Sequence, residues 1–116
     1  MEPKELAKSV VEILSNKKAA DLRMMEVTDL TTLADYFIIA TGTSSTHLKT
    51  LAEEVEYVLK KQGVFPSRIE GRSGGNWVLI DYGAVVVHVL LSEAREFYSI
   101  ERLWSDAKEA PSTEEE

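Results

Sequence analysis

Few side chains in this 116-residue sequence could do chemistry, and two of them, Asp81 and His88, lie in one apolar run from Trp77 to Leu91. An acid beside an imidazole is the material of a general acid–base pair. Gly83-Ala84 splits the run, and a glycine opening a two-residue loop supplies the positive φ of a type II′ hairpin turn. That loop pairs Tyr82 with Val85, Asp81 with Val86, Ile80 with Val87, Leu79 with His88, Val78 with Val89 and Trp77 with Leu90. Asp81 and His88 then sit diagonally on one face, with backbones roughly 7 to 8 Å apart. A nucleophile is missing, because neither Ser nor Cys shares that face and the chain has no cysteine at all. The two residues therefore read as orienting or partner-contacting groups.

A second candidate is Gly42-Thr43-Ser44-Ser45, where an apolar strand gives way to a helix. Free backbone N–H groups at a helix start favour anions, so the turn could hold a phosphate. It lacks the Gly-Lys-Ser/Thr of a P-loop and the further glycines of a dinucleotide fingerprint, and a turn with a serine N-cap explains it as well. A nucleotidyl transferase would also need paired carboxylates to hold two metal ions. Asp81 stands alone, with Leu79 two positions before it. His47 reads as an exposed imidazole, and two histidines without cysteine make a poor zinc site. No cofactor and no metal is expected.

These residues need elements to position them. Leu6, Val10, Ile13 and Leu14 mark a helix over 3–16, and Leu48, Leu51, Ala52, Val55, Val58 and Leu59 mark a second, capped by Ser44 or Ser45 and closed by Lys60, Lys61 and Gly63. Strands are expected at 21–27, 35–41 and 64–70 before the two hairpin strands, with a turn at 28–33 and a glycine-rich loop at 71–76. A strand, a helix and a further strand in succession imply a crossover in a partly parallel sheet. The reading is an α/β domain with a mixed sheet of about five strands. Ser92 opens a segment with helical spacing at Phe97, Ile100, Leu103 and Trp104. One domain over 1–104 and a disordered acidic tail over 105–116 complete the layout.

The hairpin has two unlike faces. Val78, Ile80, Tyr82, Val85, Val87, Val89 and Leu91 form a core face; Trp77, Leu79, Asp81, Val86, His88 and Leu90 form an oily face carrying one acid and one imidazole. Such a mixture suits a surface that meets a partner, and Trp77, following the glycine-rich loop, is a natural anchor.

Thirteen basic and twenty acidic residues give a formal charge of −7, of which −4 falls in residues 105–116. An acidic balance disfavours direct nucleic-acid binding and favours a basic protein partner. No apolar run reaches membrane-spanning length and the N-terminus lacks signal or transit character, so a cytoplasmic protein without membrane contact is expected.

Taken in order, Asp35-Tyr-Phe-Ile-Ile-Ala-Thr-Gly-Thr-Ser-Ser45, Glu70-Gly71, Trp77-Val-Leu-Ile-Asp-Tyr-Gly83, Val87-His-Val89, Arg95-Glu-Phe-Tyr98 and Leu103-Trp104 resemble the ribosomal silencing factor family (RsfS, Iojap-like or YbeB-like). The resemblance covers nearly everything from the first helix to Trp104. It implies a fold related to nucleotidyl transferases but without their catalysis. It also implies binding to a protein of the large ribosomal subunit, which blocks subunit joining and represses translation when nutrients are short. The family's characteristic positions fall on Trp77, Asp81, His88, Tyr98 and Trp104. Leu79 and Leu90 join them from the shared hairpin face, so the expected partner-binding set is Trp77, Leu79, Asp81, His88, Leu90 and Tyr98, with no catalytic residue. Two alternatives stay open: a nucleotide-binding enzyme using the Gly42–Ser45 turn, and a homodimer formed through the same oily face.

Overall fold

Leu6, Val10, Ile13 and Leu14 bury along one side of α1 (Pro3–Asn16), which opens with Pro3 where a missing N–H costs nothing. Its end is a Schellman motif: Lys18 takes φ 64°, Lys18 N–H donates to Ser15 O and Ala19 N–H to Leu14 O. α2 (Ser45–Lys61) starts at Ser44, whose Oγ accepts from His47 N–H at 3.0 Å, and ends the same way, with Gly63 at φ 79° and Val64 N–H bonded to Leu59 O. The structure, a computed structural model, describes residues 1–29, 32, 34–71, 75–94 and 108–109.

The strands are β1 (Ala20–Glu26), β2 (Tyr36–Gly42), β3 (Arg68–Glu70), β4 (Trp77–Asp81), β5 (Val85–Leu91) and the two-residue β6 (Lys108–Glu109), in spatial order β3-β4-β5-β2-β1-β6. All neighbours are antiparallel except β2 and β5. β2 and β3 therefore run in the same direction, as the strand–helix–strand succession implies, but β5 and β4 lie between them. The parallel partner of β2 is the second hairpin strand, held in register by Ala84 O, which accepts from both Asp35 N–H and Tyr36 N–H.

Two strands differ from expectation. β3 begins only at Arg68, because Val64 N–H is used in the cap of α2 and Pro66 has no N–H to offer. Lys108–Glu109, expected within a disordered tail, instead extends the sheet by pairing with Met25 and Glu26. Residues 92–94 are helical; the remainder of the expected C-terminal helix, with Phe97, Ile100, Leu103 and Trp104, lies outside the described residues, as does the rest of the tail.

The main core lies between the helices and one sheet face, where Val78, Ile80, Val85, Val87 and Val89 meet Leu48, Leu51, Val55 and Leu59 of α2 and Val10 and Leu14 of α1. Gly42 belongs to this packing. A Cβ there would stand 2.8 Å from Leu48 Cα, so its absence lets α2 lie close against the sheet. A smaller cluster, Met25, Val27, Ala34, Ile39, Leu90 and Ala94, occupies the opposite face, with Phe37, Trp77 and Val86 packed partly exposed against it.

Candidate functional site

The hairpin pairs as its two-residue loop dictates, from Trp77 with Leu90 through Asp81 with Val86, and Tyr82 N–H closes the turn onto Val85 O. Gly83 has φ 90°, and Asp81 Oδ1 accepts from its N–H at 2.8 Å. Strand pairing then lays the second face out as a lattice. One row crosses Arg68, Asp81, Val86, Phe37 and Met25; the next crosses Glu70, Leu79, His88, Ile39 and Arg23; the third holds Trp77, Leu90 and Thr41. Trp77, Leu79, Asp81, His88 and Leu90 are thus on one side of two paired strands.

They are not equally accessible. Trp77, Leu79 and Asp81 are half-buried, whereas His88 is 7% exposed and Leu90 0%. Leu90 is enclosed with Met25, Val27, Ala34, Ile39 and Ala94. With its surface fully covered in the free chain, it supports the face from below. Tyr98 lies outside the described residues. Phe37 and Val86, partly exposed on the same face, take up the apolar surface that Leu90 does not offer. Val86 is visible in the hairpin alternation. Phe37 is not, because the continuous apolar run of β2 carries no period that separates its two faces.

Asp81 and His88 do not form a dyad. The Asp81 carboxylate is taken by Gly83 N–H and by Arg68 Nε at 3.3 Å, and Arg68 in turn reaches Glu70 at 2.8 Å. Its first duty is to fix the turn and tie β3 to β4. The His88 ring accepts from Trp77 Nε1–H at Nδ1, 3.4 Å away, and meets Phe37 edge-on with centroids 5.3 Å apart. Burial pushes the His88 pKa down to about 4, so the ring is neutral near pH 7. Beside these residues a shallow cavity of about 310 Å³ is lined by Glu70, Gly71, Trp77 and Leu79. Gly71, at φ 86°, makes that corner: a Cβ there would collide with Trp77 O.

The Gly42–Ser45 turn is committed elsewhere. His47 Nδ1 accepts from Thr43 N–H at 2.9 Å while Nε2 donates to Lys17 O at 2.8 Å, joining the start of α2 to the end of α1. Instead of the exposed ring expected from sequence, His47 is a half-buried clamp, and with Ser44 capping His47 N–H one N–H of the turn and one of the first turn of α2 are already used. A cleft of about 520 Å³ does open beside Ser45, Thr46 and Lys49, on the helix side of the sheet, but Glu53 and Glu56 also line it. Two carboxylates on the wall oppose a polyphosphate. Among the described residues no helix is long and apolar enough to cross a membrane.

The family profile described as ribosomal silencing factor during starvation matches residues 1–116. A ribosomal silencing factor from Chromobacterium violaceum is 42% identical over 108 residues, covering 93% of this chain and 88% of that protein. A crystal structure of a C. violaceum protein, also 42% identical, superposes with a TM-score of 0.88 over 90% of this chain and 88% of that one. A mouse protein named mitochondrial assembly of ribosomal large subunit protein 1 is 33% identical over 102 residues, covering 83% of this chain and 43% of its own length. With its α/β fold and sequence similarity over nearly its whole length, the chain belongs to the ribosomal silencing factor family.

Proposed function

We propose that the chain binds a basic protein of the large ribosomal subunit through the face bearing Trp77, Leu79, Phe37 and Val86, blocks joining of the small subunit and so represses translation in the cytoplasm when nutrients are limiting. The observation that carries this reading is the face itself: half-exposed aromatic and aliphatic side chains on a sheet, bordered by Asp81 and Glu70 with Arg68 bridging them, which leaves one negative charge in excess at that edge. An apolar centre with an acidic rim is the complement of a basic protein surface with an apolar patch. Family membership supports the ribosome as the destination, and the mouse relative's name refers to the large subunit. Blocking needs bulk and a stable contact but no reaction, so a 13.0 kDa domain without an acid–base dyad suffices.

The test is cosedimentation of the full chain with separated large subunits. Trp77→Ala is expected to weaken binding by about 2 kcal/mol or more, roughly thirtyfold, with an unchanged circular dichroism spectrum. Wild-type binding by that variant would refute the face. Light scattering of the free protein decides whether a homodimer competes: a dimer that Trp77→Ala dissociates uses this face too.

A further inference from the structure

His88 lies in the middle of the second face, and among the described residues the Trp77 indole is the polar group that meets its ring. Leu79 and Ile39 neighbour it along its row, Val86 and Leu90 along its own strand, and Phe37 and Trp77 flank it on the diagonal. An indole N–H can only donate, so the bond from Trp77 Nε1 makes His88 Nδ1 the acceptor. The one proton of the neutral ring therefore resides on Nε2. That N–H is buried and has no hydrogen-bond partner among the described residues. A buried donor without an acceptor destabilises the free fold and calls for an explanation.

We propose, on the basis of the docking role given to this face above, that His88 Nε2–H is a donor reserved for the partner, and that it takes an uncharged acceptor oxygen, a main-chain carbonyl, from the docked protein. The apolar ring of neighbours selects the class of acceptor. A carboxylate would lose its hydration against Leu79, Ile39 and Val86, whereas a carbonyl from an apolar segment loses less and gains the unmet hydrogen bond there. Phe37 and Trp77 flank the imidazole, and the docked segment must reach Nε2 beside them. Both are half-buried rather than enclosed. Trp77 thus anchors the contact, and His88 requires that the inserted segment present an oxygen.

Three variants of the full chain separate this role from packing. Glutamine places its amide N–H near the Nε2 position, asparagine reproduces only the Nδ1 position, and phenylalanine fills the space with neither. The measurements are thermal unfolding at pH 7 and cosedimentation with large subunits, with Trp77→Ala alongside. His88→Phe is expected to unfold at or above the wild-type temperature, because an unmet donor is gone, yet to bind about tenfold more weakly. His88→Gln is expected to bind within about threefold of wild type, and His88→Asn to bind like His88→Phe. If His88→Phe binds like wild type while Trp77→Ala does not, the reserved donor is refuted and the docking face stands. If His88→Asn binds and His88→Gln does not, His88 acts only by positioning Trp77. If Trp77→Ala itself binds like wild type, the face is wrong and this proposal falls with it. Should His88→Phe fail to fold, the contrast between Gln and Asn still decides.

Discussion

Acidification should destabilise this protein through His88. The imidazole has a pKa of about 4 in the fold against 6.5 in the unfolded chain, because burial penalises the charged ring. Between those values the unfolded state binds the extra proton, so stability rises with pH; the contribution is complete above 6.5 and is lost as pH falls toward 4. The whole window corresponds to about 3 kcal/mol, and the part lost between pH 7 and pH 5 to about 2 kcal/mol. Urea unfolding at pH 7, 6 and 5 measures it, with His88→Phe as the reference that has no imidazole at this position. His47 and the carboxylates are common to both proteins and cancel in the difference. Wild type should lose about 2 kcal/mol more than the variant over this range. Parallel stability profiles would refute the burial of a neutral ring, and with it the tautomer assigned from the Trp77 contact.

Other substitutions test how the face is held. Asp81→Ala removes the acceptor for Gly83 N–H and the partner of Arg68, and should cost about 1 to 2 kcal/mol in urea unfolding; an unchanged midpoint would show that the turn needs no side-chain support. Leu90→Ala should cost about 2 to 5 kcal/mol, as expected for a fully buried side chain. Large-subunit binding by whatever fraction remains folded should be retained, and loss of binding in a folded Leu90→Ala protein would return Leu90 to the contact surface. Gly42→Ala should destabilise by about 1 to 3 kcal/mol, because the added methyl meets the backbone of α2 at Leu48; a neutral effect would free this glycine for a role at the turn.

Much of the architecture is written in short stretches of sequence. The serine N-cap at Ser44, the glycine after Lys61-Gln62 and the repeats of Leu and Val at helical spacing specify α2, and they do so through contacts within a few residues. Gly83-Ala84 specifies the hairpin register for the same reason, and a two-residue loop leaves one alignment of β4 with β5. Strand alternation in that register is enough to put Trp77, Leu79, Asp81, His88 and Leu90 on one face. Tyr98 has only the resemblance behind it, and Trp104 the resemblance and helical spacing; both lie outside the described residues.

What alternation cannot say is what lies on top of a face or beside an edge, since those neighbours come from remote parts of the chain. Leu90 is enclosed because β1, β2 and the segment joining them bring Met25, Val27, Ala34 and Ile39 around it. Asp81 is engaged by Arg68, thirteen residues earlier, because β3 becomes the edge beside β4. His47 is engaged because α1 ends, thirty residues before it, with a carbonyl within reach. The sequence by itself determined the two helices, the hairpin register and which hairpin side chains share the Trp77 face, all governed by local backbone geometry. Only the tertiary structure decided which of those side chains meet solvent, which are spent on the fold and which, like the buried N–H of His88, are left unsatisfied, because burial and hydrogen bonding depend on segments that meet only once the chain has folded.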